Sequence, residues 1–233
     1  MNDINYNYDL SERDSLERNH ISIELTKIKE NRNITNANVL ELGCGLGNNL
    51  TVFRDDNNVL GIEGVPDIVE KAKNRKVNIV LGDIEHEINV EDNSQDVILC
   101  LDVLEHLQYP LELLVKARKK LSDSGYLIIN VPNHFDLKGR IKLLFGSGLD
   151  VHGYFPNTND WDNPHIRFFT YDGIKAMLHT AGFKILEDHS NNFKSIPLYK
   201  LFKFLKLNFI CETLAKKYPS LFAAGFFIVA GKG

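Results

Sequence analysis

Five short apolar runs, separated by turns and helical stretches, fill residues 37–132. They read "ANVLELG", "NVLGIEG", "VNIVLGDI", "DVILCLDVL" and "YLIINVP". Their length suits strands, and their near-continuous apolar character suits strands covered on both faces, as in a parallel sheet. Between them the spacing turns helical. A short helix is expected from about Asn48 to Phe53. Pro66 opens a second in "VPDIVEKAKN", and Pro110 a third that runs through Leu121. Lys116, Arg118, Lys119 and Lys120 crowd the last turns of the third, where the helix dipole is negative. The sequence "DSG" reads as a turn ahead of the fifth strand. Strands alternating with helices in this way build βαβ units.

The flanks complete the plan. Apolar residues from Leu16 to Ile28 recur at helical spacing. Residues 133–168 are rich in Gly, Asn, His and aromatics, with one short helix around Leu137 to Phe145. "TYDGIKAMLHTAGF" is a helix with Thr170 as N-cap and Gly182 as its stop. "FKILEDH" is a sixth strand, "IPLYKLFKFLKLNFICETLAKKYPSL" a helical insert, and "FAAGFFIVAGK" a final strand. The expected fold is α/β: a Rossmann-like, doubly wound sheet of seven strands. It is mainly parallel, with an antiparallel C-terminal strand and helices on both faces.

Composition narrows the function. The formal net charge of −4 gives no footprint for wrapping nucleic acid. Three widely spaced cysteines suit neither a disulfide framework nor a zinc motif, which points to a reducing cytoplasm. The polar N-terminus does not read as a signal peptide, and no apolar run of about 18 residues is present to span a membrane.

The turn after the first strand, "ELGCGLGNN", carries Gly43, Gly45 and Gly47. A dinucleotide loop wants G-x-G-x-x-G, and here the third glycine comes one residue early. A P-loop wants Lys then Ser or Thr, where this chain has Asn48 and Asn49. Glu41 would repel pyrophosphate and welcome a cation such as an amino-acid ammonium. Glu63, at the end of the second strand, can accept both hydroxyls of a ribose. Asp83, ending the third, can accept from an exocyclic amino group, with Ile84 packing the base. The donors wanted are those of S-adenosylmethionine.

At these residues the sequence resembles class I S-adenosylmethionine-dependent methyltransferases. The likeness lies in the order of "VLELGCGLG", "GIEG", "LGDIE", "LCLDVLEHL" and "LSDSGYLIINVPN", and covers about Val39 to Pro132. It implies S-adenosyl-L-methionine as cofactor and S-adenosyl-L-homocysteine as product. It puts Gly43, Gly45 and Gly47 in the cofactor loop, Glu41 near the methionine end, and Glu63 with Gly64 at the ribose. Asp83 and Ile84 fall at the adenine, and Leu101 and Asp102 beside the methionine moiety. On this reading the chain is one domain over 1–233. Residues 1–36 are an N-terminal helical cap, 37–132 the cofactor-binding core and 133–169 an acceptor-side insert. Residues 170–233 form a C-terminal portion with its helical insert at about 196–219. "VPNHFDLKGRIKLLFG" and "NPHIRFFTYDGIKAMLHTAGF" further resemble methyltransferases found with surface-polysaccharide genes and the MetW-like group. That implies a small-molecule acceptor, a sugar hydroxyl on a nucleotide-linked precursor. The alternative is a MetW-like cofactor-binding partner or regulator without activity of its own.

A hydroxyl acceptor needs a base. His106 is one candidate, and His134, His152 and His165 are others, with His165 best placed by resemblance. Arg167 could pair with an acidic acceptor. Asp102 and Glu105 could form a carboxylate pair, but the expectation is that Asp102 shapes its loop and Glu105 meets solvent. No metal set is evident. Cys44 and Cys100 read as small core hydrophobes. Tyr6 and Tyr8 suit a lid or a frayed terminus; Tyr154, Phe155 and Trp161 suit a sugar face or local packing. In "LYKLFKFLKL", Leu198, Leu201, Phe202 and Leu205 share a stripe beside Lys200, Lys203 and Lys206. That stripe fits a membrane surface, a second subunit or the sheet.

Overall fold

The computed structural model describes residues 17–72, 76–146, 165–197 and 199–233. Tyr6, Tyr8, His152, Tyr154, Phe155, Trp161 and Leu198 lie outside these residues.

The chain opens with α1 (Glu17–Asn31) and then enters the sheet: β1 (Asn38–Leu42), β2 (Asn58–Glu63), α2 (Pro66–Ala72), β3 (Asn78–Leu81) and β4 (Gln95–Leu101). It continues through α3 (Pro110–Lys120), β5 (Leu121–Pro132), α4 (Leu137–Leu144), α5 (Tyr171–Thr180) and β6 (Phe183–Asp188). Three short helices, α6 (Tyr199–Phe204), α7 (Asn208–Lys217) and α8 (Pro219–Phe222), precede β7 (Gly225–Lys232). The seven strands form one sheet in the order β3-β2-β1-β4-β5-β7-β6. The pairs β1–β2, β2–β3, β1–β4 and β4–β5 are parallel. Only β7 runs against its neighbours, with Ile128 opposite Val229 and Asp188 opposite Ile228.

Both faces are filled, and the two-residue strand period decides which side chain goes where. Leu40, Leu42, Ile98, Cys100, Leu127 and Ile129 join Leu113, Leu114 and Ala117 of α3 and Ile174 and Leu178 of α5 in one core. Val39, Val97, Leu99 and Ile128 join Ile21, Leu25 and Ile28 of α1 in the other. Consecutive residues of β7 divide likewise: Phe226 and Ile228 lie in the first core, Phe227 and Val229 in the second. Each such fully buried side chain contributes roughly 1.5–3 kcal/mol.

Several expectations need correction. The helix at 48–53 is a single 3-10 turn, Leu50–Val52. The "DSG" residues lie within β5, where pairing jumps from Gln95–Leu121 to Val97–Tyr126, so the turn is an irregularity in a strand. β3 is apolar yet lies at the sheet edge, leaving Val80 and Leu81 exposed. The last strand begins at Gly225, because Pro219 starts α8 and draws Phe222 into it. The expected Thr170 cap is present: its Oγ1 accepts from the Gly173 amide at 3.1 Å. Gly182 follows α5 with φ at 83°, a stop that only glycine adopts freely.

α1 is fastened to the far end of the sheet. Glu24, buried on α1, accepts from His189 Nδ1 at 2.6 Å and from Asn192 Nδ2 at 2.8 Å. His189 Nε2 meets Glu187 Oε2 at 2.7 Å, and Arg32 donates to the same carboxylate. Burial raises the Glu187 carboxyl, but the His189 hydrogen bond and the Arg32 charge outweigh it and hold it below the usual range.

Candidate active site

In an open α/β sheet ligands gather at the carboxyl ends of the strands where the order reverses. Here that is the gap between the ends of β1 and β4. Gly43, Gly45 and Gly47 leave β1 with φ of 66°, 54° and 73°. A side chain would strike Val103 at Gly43, and Val77 and Ile79 at Gly47; at Gly45 it would meet nothing within 4 Å. Gly45 therefore lies under open space, and backbone conformation alone demands the glycine.

The loop is held from the next strand. Gly43 N–H donates to the Ile62 carbonyl at 2.9 Å, and Gly45 N–H to Glu63 Oε2 at 2.8 Å. Glu63 Oε1 accepts from the Val65 amide at 2.9 Å. Each of its oxygens keeps capacity for one more donor. Gly64 is exposed beside it. Glu41 is buried and accepts from Asn49 Nδ2 at 2.7 Å. Asp83 is exposed; its Oδ1 caps the Glu85 amide at 2.9 Å, leaving Oδ2 for an outside donor. Ile84 is largely absorbed by the core that includes Ile62 and Ile88. Leu101 is buried in the core under α1. Burial, reinforced by Glu41 and Glu63, pushes the Cys44 thiol far up, so Cys44 is a core residue and no nucleophile.

This donor set fits a nucleoside joined to a cationic amino acid. It offers carboxylate acceptors at two successive strand ends and a glycine under open space, with no Lys or Arg in the loop for phosphate.

The β4 end carries a different apparatus. Asp102 holds φ at 54°, a left-handed conformation that aspartate tolerates better than most residues. Its amide donates to the Asn130 carbonyl at 3.0 Å, and its Oδ1 accepts from Asn130 Nδ2 at 2.7 Å. Beside them a cavity of about 370 Å³ is lined by residues that include His20, Asn130, Phe193, Lys194 and Tyr199. Asn130 Oδ1 is buried there with no partner among the described residues. Nothing in "YLIINVP" distinguishes Asn130 as a site residue, and Lys194 and Tyr199 come from the far end of the chain.

The 3-10 turn Leu104–His106 follows. Glu105 is 1% exposed, so the expectation that it meets solvent is wrong. Its side chain lies 3.9 Å from His106 Nε2, and its carbonyl takes the amides of Ile166 and Arg167 at 2.9 and 3.1 Å. Those two bonds bring residue 165 back to the turn. His165 sits between two other imidazoles: the His106 ring centroid is 4.8 Å away and the His134 centroid 5.1 Å. His134 Nε2 and His165 Nδ1 are 3.0 Å apart. Burial lowers the His134 pKa, against the opposing pull of the Pro132 carbonyl and Asp136. Ligand atoms of Glu105, His106 and His165 all lie within 4.8 Å of one another, close enough to share a metal ion, a grouping the sequence spacing hid. Arg167 is exposed, and its guanidinium donates to the Gln108 carbonyl at 2.6 Å.

Comparison with known proteins decides the class. The family described as "Methyltransferase domain" matches residues 17–188. The chain belongs to this methyltransferase family. A ubiquinone biosynthesis O-methyltransferase of Rickettsia bellii is 29% identical over 178 residues, 70% of this chain and 68% of that one. Another, of Hydrogenovibrio crunogenus, is 24% identical over 191 residues, 78% of this chain and 77% of the relative. Among solved structures, an S-adenosylmethionine-dependent methyltransferase of Clostridium acetobutylicum aligns with a TM-score of 0.65. The two are 14% identical, with 97% of this chain and 96% of that chain covered. A second, from Archaeoglobus fulgidus, aligns at 0.57 with 22% identity, covering 91% and 94%.

Proposed function

We propose that this methyltransferase uses S-adenosylmethionine to methylate a hydroxyl of a small polar acceptor bound beyond the ends of β4 and β5, with His165 as base and His106 as its neighbour. The convergence of His106, His134 and His165 carries this reading. An amine acceptor needs only to arrive neutral, whereas a hydroxyl must lose a proton as it reacts. Glu41, Gly43, Gly45, Gly47, Glu63, Gly64, Asp83 and Ile84 hold the cofactor, and Leu101 and Asp102 border its methionine end. When bound, the cofactor supplies a methyl group activated by a sulfonium. The chain's own residues do the rest. Asp102 and Asn130 fix the rim between the two ligands, α1 and Phe193 limit water, and an imidazole takes the proton.

The sugar-hydroxyl acceptor rests on resemblance alone. The relatives named as ubiquinone biosynthesis O-methyltransferases support a hydroxyl, and favour one on a ubiquinone precursor. Methyl transfer should be assayed with catechols and with nucleotide-linked sugars. Turnover of either class upholds O-methylation; turnover of amines alone refutes it. A partner-dependent reading has one support: a fold neighbour from Haloferax volcanii was solved in complex with a methyltransferase activator. Cofactor binding without turnover by the isolated chain would favour it.

The 196–219 insert supports contact with an anionic membrane surface. Its inner side is spoken for, because Ile196, Cys211 and Ala215 form their own small core. Phe204, Leu205 and Phe209 are exposed beside exposed Lys203 and Lys206. Residues 199–217 hold five lysines against one glutamate, in a chain of net negative charge. Co-sedimentation with phosphatidylcholine vesicles should rise when phosphatidylglycerol is added and fall in Phe204→Ser. Self-association in gel filtration without vesicle binding would instead make this face a dimer contact. No helix among the described residues is long and apolar enough to cross a membrane.

A further inference from the structure

Glu105 and His106 are neighbours on one 3-10 turn, and the two amides that the Glu105 carbonyl receives bring His165 against them. The result is a carboxylate and two imidazoles whose donor atoms all lie within 4.8 Å of one another. Glu105 Oε1 and His106 Nε2 are 3.9 Å apart. Donor atoms around a tetrahedral zinc ion lie roughly 3.4 Å apart, because each bond is about 2.0–2.2 Å long. The three side chains therefore need to close by roughly an ångström, which rotation about side-chain bonds supplies.

The backbone that carries them is already fixed. Ile166 N–H and Arg167 N–H donate to the Glu105 carbonyl at 2.9 and 3.1 Å, and His106 N–H donates to the Val103 carbonyl at 2.9 Å. His165 is steadied from behind, where its Nδ1 lies 3.0 Å from His134 Nε2. The Phe168 ring stands edge-on to His134, with centroids 4.9 Å apart. Ligating histidines are commonly held by outer partners of this kind. The Glu105 side chain is buried, whereas both imidazoles are half-buried. The carboxylate thus floors a site that is reached past the histidines. The donors also select the ion. Magnesium and calcium take oxygen ligands, whereas two imidazoles and one carboxylate suit zinc and leave its fourth position to water.

We propose that Glu105, His106 and His165 form a site for one zinc-class ion, and that filling it silences methyl transfer. The silencing rests on the reading of His165 as the base. Three dative bonds form as water leaves the ion, and nothing is oxidised or reduced. An imidazole that has given its lone pair to an ion has none left for the acceptor's proton. The opposite consequence, an ion that activates the acceptor hydroxyl at its fourth position, is what the experiment must separate from this one.

Protein stripped with EDTA and dialysed should bind one zinc ion per chain when titrated with zinc chloride in a calorimeter, and magnesium chloride should not compete. Glu105→Gln keeps the shape of the buried side chain, and His106→Ala removes a half-buried ring; each should weaken zinc binding at least ~10-fold. Methyl transfer to a catechol or a nucleotide-linked sugar, followed as S-adenosylhomocysteine formation, should fall as zinc fills the site and return with EDTA. Glu105→Gln should turn over as wild type without metal and need about tenfold more zinc for the same inhibition. No saturable zinc binding, or wild-type affinity in both variants, overturns the site and leaves the base reading intact. Zinc bound at the site with turnover unchanged or raised overturns the silencing, and the base reading with it.

Discussion

The two halves of the site are built by opposite means. On the proposed cofactor side, residues 41–47, 63–65 and 83–85 each lie at or just past the end of a strand, and their bonds join neighbouring strands: Gly45 to Glu63, Gly43 to Ile62. On the acceptor side, His106, His134 and His165 come from three separate segments. They meet because the Glu105 carbonyl captures two amides from a stretch some sixty residues later. The first half is local and tied to the strand ends. The second depends on long-range tethers, so it is where a chain of this fold can change its acceptor while keeping its cofactor.

The sharpest way to break that contrast is to separate binding from chemistry. His165→Ala should leave calorimetric affinity for S-adenosylhomocysteine unchanged while lowering methyl transfer by about 10²–10⁴-fold, the usual contribution of a general base. Equal losses in both would mean that the two halves are one unit.

The converse change is Glu63→Gln. A carboxylate that holds two backbone amides becomes an amide with a single acceptor oxygen. Hydrogen bonds to charged groups contribute about 1.5–3 kcal/mol each, so S-adenosylhomocysteine affinity should fall roughly 10–100-fold. Histidine NMR signals from the acceptor side should stay put. Affinity within a factor of two of wild type would remove Glu63 from the ribose site.

A third change tests the tether over both halves. His189→Ala takes from buried Glu24 its closest partner and from Glu187 a second. Asn192 still reaches Glu24, so the loss should be about 2 kcal/mol, below the full cost of orphaning a buried charge. Thermal denaturation should show it, with faster amide exchange in α1. A stability change under about 0.5 kcal/mol, the range of ordinary surface substitutions, would mean that His189 adds nothing to what the packing of Ile21, Leu25 and Ile28 already supplies.

The same contrast explains what could be read from the sequence. The succession of strands and the proposed cofactor residues follow from local signals: an apolar run ending in glycine, an acid at each next strand end, Thr170 before a helix. These interactions form within a few residues of one strand end, so linear spacing reports them. The pairing of His134 with His165, the Asn130–Asp102 bond and the entry of Lys194 and Tyr199 into the cavity depend on segments folding back across the sheet. No periodicity encodes that. The misreading of Glu105 has the same origin. A charged residue in a turn is usually wet, but this turn is covered by the chain at 165–167. Likewise β3 looks as apolar as a central strand, and only the topology reveals it as an edge.

The smallest effect follows from the buried histidine. Burial holds the folded-state pKa of His134 below its ordinary value of 6.5. The unfolded chain then binds more protons than the folded one at pH values between the lowered pKa and about 6.5, so stability rises with pH across that window and is level above it. The Pro132 carbonyl and Asp136 favour the proton and so limit the shift; they do not reverse it. Acidifying from neutral pH through this window should therefore lower the melting temperature, and His134→Gln should flatten that part of the curve. Glu187 contributes separately and at lower pH. Its folded-state carboxyl is held below its ordinary 4.5, so its contribution is lost only as pH falls from there toward the lowered value. Melting curves of the wild type and the His134→Gln variant in matched buffers resolve the two. A slope between neutral pH and the carboxylate range that is identical in both proteins would mean that folding does not lower the His134 pKa.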